Sequence, residues 1–251
     1  MYNNKVDIIL PVYNSKEFIL ETLTSINKQT YENWRLIIID DCSKDGSEKL
    51  IENFLNNKLS KRKFIFIKNK KNKGQAFSRN FALKQCNAKF VAFIDSDDIW
   101  EKNKLKQQIN FMIKYDYIFT YTDYKTVKNN KIKIIITPSF FNYKNFIKNT
   151  SIATSTMIIK NKFLKGITFP DLKLCEDYYF KCQILKLSDA YKCQGVYTLY
   201  RLRNNSLQSN RFRVLITLFH INKNLLKINL ISNFVSILFI IINSIKKYAF
   251  R

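Results

Sequence analysis

The chain has 251 residues, of which 46% are hydrophobic, and it contains only four glycines and three prolines. These values exclude a small disulfide-stapled fold and a long disordered linker, and they fit one large domain or two closely packed halves. The formal net charge of +24 favours polyanionic partners such as nucleic acid, anionic lipid or a phosphate-bearing substrate, although a general lysine-rich composition also explains much of it.

Short apolar runs alternate with amphipathic segments over the first hundred residues. The runs predict buried strands at 6–13, 34–39, 64–67 and 90–94. The segments between them have apolar side chains at helical spacing and predict helices at 17–28, 47–55 and 75–86, with Ser47 placed to cap the second helix. This alternation predicts an α/β fold with a doubly wound, mainly parallel sheet flanked by helices.

The pattern becomes less regular after Trp100. It predicts helices at 102–114 and 177–187 and strands at 117–121, 131–136, 157–159 and 191–200. There is no internal repeat and no low-complexity linker. Residues 101–210 are therefore expected to extend the unit formed by residues 1–100 within one domain, and residues 211–251 form a separate helical tail.

The tail has no charged residue from Ile228 to Ile245. Polar side chains recur along it near helical spacing, at Asn229, Ser232, Asn233, Ser236, Asn243 and Ser244. We expect an amphipathic helix that lies in a membrane interface or packs on a partner, with an ordinary terminal helix packed on the core as the alternative. The basic residues Lys246, Lys247 and Arg251 would favour an anionic membrane surface.

The cysteines and the first apolar run indicate the cellular compartment. The five cysteines form no CxxC pair and fit buried thiols in a reducing compartment. The first apolar run is too short for a secretory signal and contains Asp7. We therefore expect a cytoplasmic location.

Acidic side chains follow the predicted strands at the points where the strands end. Asp40 and Asp41 end the second strand, and Asp95, Asp97 and Asp98 end the fourth. Ligands of open α/β sheets bind beyond the carboxyl ends of the strands. Clustered carboxylates need a neutralising cation, and hard oxygen ligands select Mg²⁺ or Mn²⁺, commonly together with substrate phosphates. The sequence therefore predicts a site for a cation and a phosphate-bearing ligand.

Four motifs in series resemble the family-2 glycosyltransferases of the GT-A fold. They are VDIILPVYN at 6–14, IDDCSKDGS at 39–47, NKG at 72–74 with SRN at 78–80, and FIDSDD at 93–98. Cys42 stands where the family often has Gly or Asn. The resemblance implies an inverting single displacement that moves a sugar from a nucleotide-diphosphate donor to a glycan or lipid-linked acceptor. Such a reaction belongs to cell-surface polysaccharide or lipopolysaccharide-type biosynthesis, at the cytoplasmic face of the inner membrane.

The resemblance also implies roles for residues of the first half. Residues 1–100 would form the nucleotide-sugar-binding half, with Asp97 as the ligand of the cation that bridges the diphosphate. The remaining donor-binding residues would be Pro11, Tyr13 and Asp41 at the base, Lys73, Gly74 and Arg79 along the pocket, and Asp95 and Ser96 at the ribose.

The resemblance in residues 101–210 rests on two segments and would make this the acceptor half. In CEDYYF at 175–180, Asp177 would be the general base and Glu176 its neighbour. In YRLRNNS at 200–206, Arg203 stands where the family often has His, which puts a second protein metal ligand in doubt. Arg203 would instead bind the diphosphate directly.

Two other functions also fit parts of the sequence. A nucleotidyltransferase also uses an acid-bound metal, but it would want a glycine-rich basic loop after the first strand, where this chain has Tyr13 and Asn14. A non-enzymatic basic protein that binds RNA or DNA would fit the charge, but the chain has no nucleic-acid motif and acids line the predicted cleft. No nucleic-acid partner is therefore expected.

Overall fold

The computed structural model describes residues 4–59, 63–129, 131–202 and 210–248. Its first half alternates strands and helices, as predicted. The elements in chain order are β1 (Val6–Val12), α1 (Ile19–Asn27), β2 (Trp34–Asp40), α2 (Ser47–Lys58), β3 (Phe64–Lys68), α3 (Gln75–Gln85) and β4 (Phe90–Phe93).

The second half has shorter and more varied elements. They are β5 (Ile99–Trp100), α4 (Lys104–Lys114), β6 (Phe119–Lys128), β7 (Lys131–Ile135), β8 (Phe140–Phe141), α5 (Tyr143–Phe146), β9 (Ile158–Lys160), α6 (Glu176–Leu185), β10 (Ala190–Arg201), α7 (Arg211–His220) and α8 (Leu230–Tyr248). A 3₁₀ turn, Thr154–Thr156, precedes β9, and a π-helical turn, Ile221–Leu225, follows α7.

All ten strands belong to one mixed sheet. Its main order is β3-β2-β1-β4-β9-β6-β10-β5, with β7 paired to β6 and β8 to β10. The block from β3 to β4 is parallel, and so is the pair β6–β10, whereas β9 runs antiparallel to both β4 and β6. The predicted sheet with flanking helices is confirmed. Strand β9 pairs with both β4 and β6 and so joins the strands of the first hundred residues to those of the second half.

The central strands are buried on both faces, which explains their continuous apolar runs. In β1, Ile9 packs into the core beneath α3 and α6, whereas Ile8 and Leu10 pack into the core beneath α1, α2 and α4. The sheet is thus a rigid platform whose carboxyl-end edge positions the acids of the site.

The start of α2 differs from the prediction that Ser47 caps it. The residue before the helix is Gly46, whose φ of 91° lies in the left-handed region, and Ser47 is the first helical residue. Asp45 satisfies this end instead, because its carboxylate accepts from the Ser47 backbone N–H and hydroxyl. The Ser47 hydroxyl in turn accepts from the Ser15 N–H, which ties α2 to the loop after β1.

Helix α8 packs on the domain through part of its polar stripe, together with Ile240, and exposes most of its apolar side chains. Asn233 and Ser236 are fully buried, and the Asn233 side chain contacts Asn222 and the Phe219 carbonyl. Ile231 and Phe234 are 80% and 65% exposed. Within the described residues, Leu230–Lys247 is the one helical stretch long and apolar enough to cross a membrane by length and composition.

Candidate active site

The carboxyl ends of β1, β2 and β4 meet at one edge of the sheet, where the sequence places the candidate donor-binding residues. Pro11 lies within β1, and Tyr13 follows it with about half of its side chain exposed. An exposed aromatic ring at this edge can stack on a nucleotide base.

Asp41 follows β2 and organises the loop before α3. Its buried carboxylate accepts from the Asn69 amide and from the backbone N–H groups of Lys73 and Gly74, at 2.7–3.1 Å. The structure thus brings together Asp41, Lys73 and Gly74, which sequence reasoning placed in one pocket. Because these donors occupy both carboxylate oxygens, Asp41 fixes the position of the loop that contains Lys73 and Gly74.

Asp40 is a buried acid that sequence reasoning did not assign. Its Oδ2 accepts from the Ser43 N–H, and its Oδ1 is buried without a hydrogen-bond partner among the residues that the structure describes. Burial raises the pKa of Asp40, and Ser43 only partly opposes this effect.

Arg79 joins the two halves of the site. Its buried guanidinium donates to Asp95 at the end of β4 and to Glu176 at the start of α6, both at 2.6 Å. Gln75, one turn earlier on α3, also donates to Asp95. Burial raises the pKa of Glu176 even though the Arg79 charge opposes it. One cationic side chain therefore holds Asp95, from the predicted donor half, and Glu176, from the predicted acceptor half.

The 3₁₀ turn at 154–156 is the second link between the halves, and sequence reasoning missed it. The Ser155 hydroxyl accepts from the Asp95 N–H and donates to the buried carboxylate of Asp98. The neighbouring Thr154 hydroxyl donates to Asp177 at 3.0 Å. Burial and the charges of Asp97 and Asp95 raise the pKa of Asp98 well above its ordinary value.

Asp177 is an ionised carboxylate with its own counter-ion. Lys181, one turn later on α6, donates to Asp177 at 2.6 Å and to the Ile152 carbonyl at 2.8 Å. Burial favours the neutral acid, but the Lys181 charge and hydrogen bond, helped by Arg79 and Thr154, outweigh it and hold the pKa of Asp177 at about 2. A group that acts as a base must be deprotonated, and this environment keeps Asp177 so.

Arg201 holds the acidic loop after β4. It donates to the Asp97 carbonyl at 2.7 Å and to Glu21 at 2.5 Å, while its backbone N–H donates to Asp98. Arg203, which the sequence placed at the diphosphate, lies outside the described residues. Arg201 belongs to the same motif and directly follows a predicted strand, and this position was the signal from which its role could have been predicted.

The loops around the site contain one buried serine pair and two residues in the left-handed conformation. The Ser96 hydroxyl lies 2.5 Å from the Ser15 hydroxyl, in a buried contact that joins the loops after β1 and β4. Cys42 has a φ of 66°, a left-handed conformation that Gly and Asn adopt more readily, so the departure from the family pattern carries a backbone cost. Cys175, directly before Glu176, has a φ of 60°.

The end of β4 fits a cation that binds together with a diphosphate. Among the described residues, no group of three or more His, Cys, Asp or Glu side chains is arranged to hold a metal without a ligand. Asp95 accepts from Arg79 and Gln75, and Asp97, two residues later in the same loop, is the candidate protein ligand. Mg²⁺ commonly takes one or two carboxylates and completes its shell with substrate phosphates and water, so this donor set fits.

Comparison with known proteins decides the family. A model of the family described as "Glycosyl transferase family 2" matches residues 7–166. The chain belongs to this family. Glycosyl transfer is therefore its general activity, and nucleotidyl transfer and non-enzymatic nucleic-acid binding are set aside.

Relatives of this glycosyltransferase are found among both sequences and structures. It is 36% identical over 84% of its length to WfgD of Escherichia coli, named a UDP-Glc:alpha-D-GlcNAc-diphosphoundecaprenol beta-1,3-glucosyltransferase, and covers 82% of it. It is 38% identical over 84% of its length to WfaP of E. coli, which carries the same activity name, and covers 82% of it. Residues 1–349 of S. aureus TarS with UDP-GlcNAc match it with a TM-score of 0.70 and 26% identity, over 88% of this chain and 67% of that one. Against a longer TarS chain, the coverage is 40% of that chain. The predicted GT-A-type fold is confirmed.

Proposed function

We propose that this glycosyltransferase moves a sugar from a nucleoside-diphosphate donor to a hydroxyl of a lipid-linked saccharide, with inversion at the anomeric carbon and with Mg²⁺ or Mn²⁺ at Asp97. The observation that carries the proposal is the Arg79 bridge, because it ties Asp95 after β4 to Glu176, the neighbour of the proposed base Asp177. The names of WfgD and WfaP support the donor and acceptor classes.

The donor half of the proposal uses the edge formed by β1, β2 and β4. Tyr13 stacks on the base, and Asp41 holds the loop that brings Lys73 and Gly74 alongside the nucleotide. Asp95 and Ser96 lie at the ribose. A divalent cation at Asp97 would neutralise the charge that develops on the departing diphosphate. Arg203 is proposed to contact the same diphosphate.

The acceptor half uses the start of α6. Asp177 accepts the proton of the acceptor hydroxyl as that oxygen attacks the anomeric carbon, a role typically worth about 10²–10⁴-fold in rate. Glu176 fixes Arg79, and Lys181 and Thr154 fix Asp177. A single base on this side is consistent with one displacement and inversion.

The exposed apolar face of α8 supports a place at the cytoplasmic surface of a membrane. Exposed Ile231, Phe234 and Leu238 form an apolar row that water disfavours, and the basic Lys246 and Lys247 follow it. A lipid-linked acceptor is presented at such a surface, so docking of α8 would bring the site to its substrate.

Product analysis tests the proposed reaction. The purified protein is incubated with Mn²⁺, each of several nucleotide sugars, and a short-chain prenyl-diphosphate-linked N-acetylglucosamine. We expect release of a nucleoside diphosphate and a product whose new anomeric configuration, read by NMR, is opposite to that of the donor. Release of pyrophosphate, or retention of configuration, would contradict the proposal.

A further inference from the structure

A groove lies between β7 and the C-terminal end of α8, and its lining includes none of the candidate donor-binding residues that the structure describes. Its volume is about 270 Å³. Three lysines line it, Lys133 from β7 and Lys246 and Lys247 from α8, and no acidic side chain of the described residues lines it. A groove with this charge is complementary to a multiply charged anion.

The wall of the groove is apolar where it meets solvent. Ile134 and Ile136 line it and are 51% and 69% exposed, and Ile132 on the same strand is also exposed. Large apolar side chains beside three lysine side chains fit a ligand with an anionic head and a hydrocarbon chain.

The floor of the groove holds an unsatisfied polar group. Ser151 lines the groove and is 6% exposed, and its hydroxyl is buried without a hydrogen-bond partner among the residues that the structure describes. Buried hydroxyls are normally paired because an unpaired one costs free energy. A phosphate oxygen in the groove would accept from this hydroxyl.

The groove is connected to the active site by a short stretch of chain. Three residues after Ser151, the Thr154 hydroxyl contacts Asp177, and the intervening Ile152 carbonyl accepts from Lys181, which also binds Asp177. Three residues span at most about 11 Å. An acceptor held in the groove by its head group can therefore present a short saccharide to Asp177.

We infer that this groove binds the diphosphate of the lipid-linked acceptor through Lys133, Lys246, Lys247 and Ser151, with the prenyl chain along Ile134 and Ile136. The inference rests on the proposed function, since it names where that acceptor's head group binds. It assigns the β7 strand and the end of α8 to acceptor selection, in addition to any contact of α8 with lipid.

Calorimetric titration with farnesyl diphosphate tests the groove without requiring turnover. EDTA is present so that no cation recruits the diphosphate to Asp97, and farnesol and inorganic pyrophosphate are titrated in parallel. We expect farnesyl diphosphate to bind at least tenfold more tightly than either fragment. Pyrophosphate binding as tightly as farnesyl diphosphate would overturn the prenyl part of the assignment, and farnesol doing so would overturn the diphosphate part.

Variants locate the binding. The double variant Lys133→Glu/Lys246→Glu should bind farnesyl diphosphate at least tenfold more weakly, and Ser151→Ala roughly threefold more weakly. The control Lys162→Glu/Lys165→Glu makes the same charge change on exposed lysines after β9, at the opposite edge of the sheet, and should bind as the wild type does. Wild-type affinity in the first double variant, or an equal loss in the control, would overturn the inference.

Binding of UDP with Mn²⁺ should be unchanged in all these variants, which shows that they fold. The two proposals fail in different ways. A wild-type protein that binds farnesyl diphosphate in the groove but transfers no sugar contradicts the proposed function alone. If the wild type and the Lys133→Glu/Lys246→Glu variant transfer sugar to a prenyl-diphosphate acceptor equally well, only the assignment of the groove is contradicted.

Discussion

Arg79 is the residue on which the geometry of the site depends most. Its side chain is 3% exposed and forms ion pairs with Asp95, after β4, and with Glu176, at the start of α6. Removing one member of a buried ion-pair network leaves the remaining charges without compensation. The two acids would then repel each other and move apart.

We therefore predict that Arg79→Met lowers the free energy of unfolding by about 3–5 kcal/mol. Urea denaturation measures the change. The control Lys68→Met removes an exposed lysine that pairs with Glu48 and Glu52, and it should change the stability far less than Arg79→Met does, because solvent screens exposed ion pairs. Similar losses in the two variants would mean that Arg79 does not hold the site together.

Lys181 sets the proton affinity of the proposed base. Asp177 is ionised in the folded protein because the Lys181 ammonium overcomes the effect of burial on its pKa. Lys181→Met removes that ammonium, so the pKa of Asp177 should rise from about 2. Activity requires the ionised base, and the acidic limb of the kcat/KM profile should therefore move to higher pH.

The control for this profile is Lys186→Met, which removes an exposed lysine just after α6. Its acidic limb should match that of the wild type. An unshifted limb in Lys181→Met, with measurable activity, would argue that Asp177 is not the base.

At the scale of single elements, α4 carries a buried lysine beneath the sheet that positions the active site. Lys104 is fully buried, its Nζ lies 4.1 Å from the centre of the Trp100 ring, and Trp100 donates to the Ser155 carbonyl. Burial lowers the pKa of Lys104 from 10.5 to about 7. The unfolded chain thus binds a proton here that the folded protein lacks between about pH 7 and 10.5, so stability rises with pH in that window.

We predict that Lys104→Met stabilises the fold most below pH 7. Between pH 7 and 10.5, the gain in free energy of unfolding should shrink by about 1.4 kcal/mol for each unit by which the pH rises. Chemical denaturation at pH 6, 8 and 9.5 measures it, and Lys106→Met, at an exposed position of the same helix, is the control. A gain that does not change with pH would show that Lys104 keeps its ordinary pKa.

Several elements could be predicted from sequence because a single local pattern defines each of them. The strands β1, β2 and β4 are apolar runs buried on both faces, and the acids that follow them meet because parallel strands end at one edge. The Arg79 bridge and the Thr154–Asp177 contact were out of reach, since their partners lie 97 and 23 residues apart and no local pattern records tertiary pairing.

Other elements depended on tertiary context. The pair Ile99–Trp100 is a strand only because β10 lies beside it, and Phe140–Phe141 is a strand for the same reason. The tail at 211–251 was predicted to be helical, but its division into α7 and α8 was not. Asn210, the residue before α7, caps that helix because its side chain accepts from the Arg213 N–H. The polar stripe of α8 was predicted, but which of its faces meets the domain could be read only from the packing.

For the whole molecule, the proposed contact of the exposed face of α8 with lipid would determine where the enzyme works. Burial of large apolar side chains in a bilayer interface is favourable, and Lys246 and Lys247 add attraction to anionic lipid. We predict that Phe234→Glu/Leu238→Glu lowers the fraction bound to vesicles containing phosphatidylglycerol at least fivefold in a co-sedimentation assay.

The matched control places the same charges on Leu20 and Ile113, which are 42% and 45% exposed on α1 and α4. Leu20→Glu/Ile113→Glu should sediment with vesicles as the wild type does. Equal binding by the two double variants and the wild type would show that α8 does not contact lipid.

The central claim is that Asp97 holds a cation which receives the charge of the leaving diphosphate. Titration calorimetry of UDP with and without Mn²⁺ tests it most directly, in the wild type, in Asp97→Asn and in the control Asp171→Asn, an exposed acid outside the site. The account predicts that Mn²⁺ tightens UDP binding at least tenfold in the wild type and the control but less than twofold in Asp97→Asn. A full Mn²⁺ effect in Asp97→Asn would contradict it.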